Sequence, residues 1–324
     1  MKKKTIIAAV LMLTLLSGCF KNYDETYPAE TSLSETASET TETTAESDPT
    51  EGSIDPSDMT MASVDIDSWK ITTEQDGKYR QDILFEHEGR RFAGRVFLPE
   101  SAAGKYPTVV IMGYSPVLSS LVSANKGCIE GITSKGMACI MIEAFGKGDS
   151  LGNYEELSID NVNEILTVFF SYIDKIEGVD NSKVVLWSNT AVGLLPILSM
   201  KDKCDKVSAI VMPGPNFLDG AYLRELFPDK EKIADGGSYA LYIDQMYDID
   251  AEDFFKEIST KVFVYTAESG DQNGSDMIER YVGYFPDKVW EQTGTNTDYE
   301  RSLYNGKGVV FDKIMEDLEA LFSE

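Results

Sequence analysis

Hydrophobic and polar positions alternate early in the chain and then give way to unbroken apolar runs. Residues 78–86 and 90–98 alternate and are joined through Glu88-Gly89, which predicts an antiparallel hairpin. Five short apolar runs without alternation follow, and continuous apolarity is typical of strands that helices cover on both faces. These runs are residues 107–113, 137–142, 183–187, 207–212 and 261–265.

Helical periodicity fills the intervals between these runs. Apolar residues from Ile159 to Ile176 recur at steps of three, four and seven, as on one face of an amphipathic helix. Similar patterns occupy residues 118–135, 191–201, 276–285 and 311–322. The alternation predicts an α/β fold with a doubly wound, mostly parallel sheet and an N-terminal antiparallel hairpin.

One stretch, residues 214–259, interrupts the alternation. It follows the sixth predicted strand at the carboxyl edge of the sheet, where open α/β folds bind ligands. We interpret it either as a lid or as an insertion that only stabilises the domain.

The first 18 residues have the pattern of a secretory signal peptide. Three lysines precede the apolar stretch 5–16, which is shorter than the roughly 20 residues of a membrane span. Leu16-Ser17-Gly18-Cys19 resembles the bacterial lipoprotein box at every position. The resemblance implies cleavage before Cys19, lipidation of its thiol and acylation of its new amino group. We therefore expect a lipid anchor on the extracytoplasmic face of the cell membrane, rather than a plain signal peptide with an incidental cysteine.

Residues 19–68 combine the lipidated cysteine with an acidic tether. Residues 21–68 contain 13 Asp and Glu against one Lys and little that a core could bury, so we expect disorder. The Ser, Thr and Glu composition favours a Gram-positive surface. Residues 69–324 then form one domain with 42 acidic against 25 basic residues. Because the whole chain has a formal charge of −26, we expect no nucleic-acid partner.

Metal and disulfide chemistry have few candidate residues. Cys128, Cys139 and Cys204 each lie in an apolar stretch without metal-ligand spacing, so we expect them to act as small hydrophobic residues. His87 is the only histidine of the chain. No metal site and no cofactor are therefore expected.

Several short segments, in a fixed order, carry a family resemblance. They are Phe92–Pro99, Met112-Gly113-Tyr114, Phe145–Ser150, Gly178-Val179-Asp180 and Glu268–Asp271, with a strand–turn–helix pattern over residues 183–193. From about Ile83 to Leu321 the chain thus resembles the α/β-hydrolase superfamily, in its dienelactone-hydrolase and acyl-peptidase-like branch.

The resemblance implies a degenerate catalytic triad. Carried over, Thr190 takes the nucleophile position, Asp271 the acid position and Thr297 the position of the missing histidine. The usual G-x-S-x-G turn is replaced by Ser188-Asn-Thr-Ala-Val192, which has no glycine. Without a base, the threonine hydroxyl stays a poor nucleophile, and losing the base of such a triad costs about 10⁶ in turnover.

Part of the older site could still bind a ligand. The backbone N–H groups of Tyr114 and Ala191 occupy the oxyanion-hole positions, with Lys147 nearby, and could hold a carboxylate or carbonyl. The leading hypothesis is a cell-surface lipoprotein whose domain is non-catalytic and binds a small acyl or peptidic ligand or an envelope protein.

Two alternatives remain open. One is an esterase or peptidase with a non-standard site that uses Thr190 or Ser188 together with Asp271. The other is a solute-binding lipoprotein, which would require two lobes. We expect His87 to be an exposed residue of the hairpin, at the sheet edge away from the nucleophile turn.

Overall fold

The computed structural model describes most of the predicted domain. The described residues are 63–100, 104–113, 122, 125–143, 158–188, 194–215, 220–226, 228, 246–267, 272–293 and 305–323. Every described residue belongs to the unit of residues 55–324. The predicted signal peptide and Cys19 lie outside the described residues. In the described part, no helix has both the length and the apolar character needed to cross a membrane.

The described strands form one nine-stranded sheet with the order β1-β2-β3-β5-β4-β6-β7-β8-β9. Strands β1, β2 and β3 are antiparallel, β3 pairs antiparallel with β5, and the remaining neighbours are parallel. The strands are β1 Lys70–Gln75, β2 Arg80–His87, β3 Arg90–Phe97, β4 Tyr106–Gly113, β5 Ala138–Glu143, β6 Val179–Ser188, β7 Ala209–Pro213, β8 Lys261–Thr266 and β9 Lys288–Gln292.

Helices cover both faces of the sheet. Those with described bounds are α1 Lys126–Ser134, α2 Ile159–Tyr172, α3 Leu195–Leu198, α4 Gly220–Leu226, α5 Ala251–Glu257, α6 Gln272–Tyr284 and α7 Val309–Ser323. Helix α2 begins after Ser158, whose hydroxyl oxygen accepts a hydrogen bond from the Asn161 N–H at 3.1 Å and caps the helix.

The two faces of the sheet have separate packing partners. Helices α1 and α7 pack on the face that carries Val109, Met141 and Trp187. Helix α2 packs on the opposite face, where the ring of Phe169 meets that of Phe85. Because residues in register on neighbouring strands share a face, these contacts assign a face to every paired residue.

The predicted α/β architecture is confirmed, with differences at its margins. All five apolar runs form parallel strands, and residues of the predicted hairpin form β2 and β3. The edge strands β1 and β9 are not predicted from the sequence pattern, because neither has the burial of a central strand. The predicted helix over 191–201 is described only as the short α3, followed by turns, and a 3₁₀ turn at Ile66–Ser68 lies within the segment predicted as tether.

Candidate functional site

The carboxyl ends of the parallel strands meet at one edge of the sheet. Gly113, Glu143, Ser188, Pro213 and Thr266 are the last residues of β4 to β8. The register pairs Gly113 with Glu143, and the residue before Gly113 pairs with Ser188, so the central strands end at nearly the same level. This is the edge where open α/β sheets bind ligands.

The predicted site residues Tyr114, Thr190, Ala191, Asp271 and Thr297 each follow the end of a parallel strand but lie outside the described residues. Tyr114 comes directly after β4, whereas Thr190 and Ala191 come two and three residues after β6. Asp271 follows β8 and Thr297 follows β9, each by five residues. The structure thus gives the strands that lead to the site, and the roles of these five residues stay predictions.

Ser188, the alternative nucleophile, is buried at the end of β6. Its residue is 4% exposed. Its register partner is Met112, which pairs with Ile142, and Ile142 pairs with Gly94, so all four lie on the face that α2 covers. Its hydroxyl therefore points into a helix-covered layer instead of outward at the edge.

Glu143 is a residue of this edge that the sequence analysis missed. It is fully buried, on the face covered by α1 and α7, and it lies beside Gly113 in the parallel register. A buried carboxyl group must be hydrogen-bonded, paired or neutral, so such a group at a ligand-binding edge is a candidate for a functional role. The sequence feature that could have indicated Glu143 is its place as an acidic residue directly after the apolar run 137–142.

The position of His87 follows from the strand register. Strand β2 is four strands from β6 in the sheet order, which corresponds to about 19 Å. The strand register, followed across β4, β5 and β3, places Ser188 opposite Ile83 of β2. His87 lies four residues beyond Ile83, which adds a displacement of about 13 Å along the strand. The imidazole is thus on the order of 20 Å from the end of β6, far beyond hydrogen-bonding distance.

His87 instead packs at the β2–β3 turn. Its ring centroid lies 5.4 Å from that of Trp69, its Nδ1 is 3.4 Å from the Ser68 carbonyl oxygen, and its Nε2 is 3.8 Å from a carboxylate oxygen of Glu88. An open cavity of about 510 Å³ adjoins the ring and is lined by residues 86–91 with Ser68 and Lys70. The expectation that this histidine lies on the hairpin, away from β6, agrees with these contacts, although its side chain is only a quarter exposed.

Side-chain and backbone hydrogen bonds join the ends of β7, β8 and β9. The Trp290 Nε1–H donates to the Thr266 hydroxyl at 2.9 Å, and the Thr293 N–H donates to the Thr266 carbonyl at 2.8 Å. The Gly214 N–H donates to the Tyr265 carbonyl at 2.8 Å. The strands that precede Asp271 and Thr297 are therefore bonded to each other at their carboxyl ends.

The described ends of the predicted 214–259 insertion are joined to each other. The Gly220 N–H donates to the Ile249 carbonyl at 2.6 Å, and Arg224 donates to the Tyr247 carbonyl at 2.7 Å and pairs with Asp250. Residues 229–245 lie outside the described part, so the lid interpretation stays a prediction.

The described cysteines are buried to different degrees. Cys128 and Cys139 are fully enclosed in the core, whereas Cys204 is half-buried, and all three are free thiols. Burial raises the pKa of Cys128 to about 12 and also raises that of Cys139, so neither is a reactive thiolate at neutral pH. Within the described ranges, no group of His, Cys, Asp and Glu could hold a metal ion.

Comparisons with known proteins identify the fold. No protein-family model and no curated protein sequence matches the chain. Among solved structures, acetyl xylan esterase 1 from Thermoanaerobacterium sp. JW/SL YS485 is similar, with 13% identity over 79% of this chain and 91% of that one, at a TM-score of 0.56. The α/β hydrolase GrgF from Penicillium sp. sh18 is 14% identical over 75% and 98% of the two chains, also at 0.56. Est1E from Butyrivibrio proteoclasticus with bound ferulic acid is 14% identical over 74% and 97%, at 0.50.

These structures share their fold with the chain at low sequence identity. The nine-stranded, mostly parallel sheet with an antiparallel N-terminal part is the α/β-hydrolase fold, as the sequence resemblance implied.

Proposed function

We propose that this α/β-hydrolase fold serves as a binding domain on a cell-surface lipoprotein. Its ligand would be a small acyl or peptidic molecule, or a segment of an envelope protein, held at the carboxyl edge of the sheet. The lipid on Cys19 would retain the domain at the membrane, and residues 19–68 would act as the spacer between them.

The observation that carries this proposal is the location of His87. It is the only histidine of the sequence, and it lies four strands away from β6, packed on Trp69. A hydroxyl after β6 would have no imidazole within reach to accept its proton, and triad chemistry depends on that transfer. The replacement of both glycines of the nucleophile turn supports the same conclusion.

The similar structures favour an acyl group as the ligand class. Acetyl xylan esterase and Est1E with ferulic acid are named for carboxylic esters or acids. Backbone N–H groups at the positions of Tyr114 and Ala191 could hold the carbonyl or carboxylate of such a ligand without cleaving it.

Because the similar structures include esterases, an ester hydrolase with a non-standard site is the second candidate. It would use the hydroxyl of Thr190 with Asp271, or the hydroxyl of Ser188. The burial of Ser188 beneath the α2 side of the sheet weighs against the latter. A two-lobed solute receptor receives no support, because all described strands belong to one sheet.

A hydrolysis assay separates binding from catalysis. The purified protein is incubated with short acyl nitrophenyl esters and with a fluorophosphonate that labels activated hydroxyls. We expect no label and no turnover above that of Thr190→Ala. Turnover that disappears in Thr190→Ala and persists in the distant His87→Ala variant would establish the esterase and refute the binding proposal.

A binding assay tests the ligand class directly. Ferulic acid and acetate are titrated while the unfolding temperature is recorded, since a ligand of the native state raises it. We expect a shift for the unmodified protein that Thr190→Phe removes and His87→Ala retains. Equal shifts in all three proteins would place binding elsewhere, and no shift would remove acyl ligands from the proposal.

Membrane attachment is tested independently at Cys19. Cells that express the protein are fed an alkyne fatty acid, and membranes are separated from soluble material. We expect labelled protein in the membrane fraction, and Cys19→Ser should lose both the label and the attachment. Labelling that survives this substitution would disprove the anchor.

A further inference from the structure

Strand β1 forms one lateral end of the sheet and is unusually open. Among the described residues, only β2 pairs with it, so its outer backbone edge has no strand beside it. Five of its six residues are exposed, and Ile71 is half-buried. Open strand edges are templates for pairing with another strand, and Ile71-Thr72-Thr73 is β-branched throughout.

The hydrogen-bond phase of β1 determines which groups face outward. The Asp76 N–H, just after β1, donates to the Arg80 carbonyl at 2.9 Å, so residue 76 faces β2. Inward and outward groups alternate along an antiparallel strand. The N–H and C=O groups of Lys70, Thr72 and Glu74 therefore face β2, whereas those of Ile71 and Thr73 face outward.

This phase restricts how a second β1 could pair with the first. The outward N–H and C=O groups of one β1 must bond to the outward groups of the other. An antiparallel copy can therefore be centred on Thr72, so that Ile71 of each copy lies opposite Thr73 of the other. In that register Lys70 lies opposite Glu74 of the second copy, and Glu74 lies opposite its Lys70. The side chain of Lys70 is 76% exposed and makes only a 3.7 Å contact with Glu86, so it can reach across.

We propose that two copies of this chain associate edge to edge through β1, across a twofold axis at Thr72. The strand is complementary to itself in backbone phase and in charge, which a twofold interface requires. Two nine-stranded sheets would then form one continuous sheet. The interface lies at the opposite lateral end of the sheet from β9 and is independent of the function proposed for the carboxyl edge.

Charge reversal provides the main test, by sedimentation equilibrium of the full chain over a wide range of concentrations. We expect a monomer–dimer equilibrium whose dissociation constant rises about tenfold or more in Lys70→Glu and likewise in Glu74→Lys, because like charges then face each other. The double variant exchanges the charges and should restore dimerisation. Lys126→Glu is the matched control, since the Lys126 side chain is also 76% exposed but lies on α1.

Net charge alone predicts a different pattern. The chain is acidic, so a general repulsion would strengthen dimerisation in Glu74→Lys and weaken it equally in Lys70→Glu and Lys126→Glu. That pattern, or a protein that stays monomeric at every concentration, would overturn the proposal.

Two further variants examine the register itself. Thr73→Pro removes an outward N–H and leaves the bonds between β1 and β2 in place, so it should abolish the dimer. The stability lost within one copy should be limited to the exposed 3.2 Å hydrogen bond between the Thr73 and Tyr172 hydroxyls. Thr72→Cys places two thiols across the axis, where opposed strand residues have the Cα separation of a disulfide. We expect a covalent dimer on mild oxidation for Thr72→Cys and none for Lys126→Cys. A dimer unaffected by Thr73→Pro, or equal cross-linking of both cysteine variants, would refute pairing through β1.

Discussion

Gly131 is the point where α1 meets the segment that returns from the predicted histidine position. A Cβ atom on Gly131 would lie 2.6 Å from the Gly306 carbonyl oxygen and 2.6 Å from the Phe311 ring. Ordinary contacts between such atoms are about 3.5 Å, so the added methyl group requires a shift of roughly 1 Å in backbone and ring. Overpacking of this kind costs about 1–3 kcal/mol.

A second helical glycine isolates that cost. Gly283 in α6 is exposed, and a Cβ atom there meets nothing within 4 Å. Both Gly→Ala substitutions should stabilise their helix by up to about 1 kcal/mol through helix propensity. Only the new methyl group of Gly131→Ala would clash with neighbouring atoms. We expect Gly131→Ala to be less stable than Gly283→Ala by about 1–3 kcal/mol.

Urea unfolding followed by circular dichroism measures this difference, and thermal unfolding provides a check at about 2–4 °C per kcal/mol. Equal stabilisation of both variants would refute the close approach of residue 306 to α1. The result bears on the site, because this contact fixes the chain just after the undescribed segment that contains Thr297.

Three further outcomes are expected. Burial lowers the pKa of Lys203, so the native protein should gain stability as the pH rises through the alkaline range below 10.5, where the unfolded chain still binds the proton. Urea titrations should show a smaller gain for Lys203→Met, and an equal gain in both proteins would exclude this role of Lys203. Cys128 and Cys139 should resist alkylation at pH 8 until the protein unfolds, and rapid labelling of the native protein would contradict their burial. Phe85→Ala should cost about 3–5 kcal/mol in urea unfolding, because Phe85 is fully buried and stacked on Phe92 at 4.3 Å; a loss below 1 kcal/mol would mean that this part of the sheet folds separately.

Burial explains which strands could be predicted from the sequence. Strands β4 to β8 have helices on both faces, so each contains a continuous apolar run, and the pattern identifies them directly. Strand β1 reads Lys-Ile-Thr-Thr-Glu-Gln and is almost wholly exposed, so no face of it carries a hydrophobic signal. The short β9 has the same limitation, and both are recognisable only from the strands they pair with.

The candidate site was predictable in a more limited way. The strand ends that precede Tyr114, Thr190 and Asp271 agree with the order that the resemblance implied, because strand positions follow from apolar runs. The burial of Glu143 could not be inferred, since a charged residue after a strand usually indicates a solvated loop. Its full burial becomes visible only in the folded sheet, where it lies on the face that α1 and the sequence-distant α7 cover.

The junction of Gly220 and Arg224 with residues 247–250 also has a consequence for engineering. These hydrogen bonds tie the two described ends of the intervening stretch to each other. Lengthening such a closed loop adds only a small entropic cost, about 0.6 kcal/mol per doubling. Foreign peptides or small domains grafted between residues 228 and 246 should therefore leave the host folded, which makes this position suitable for displaying them on the domain.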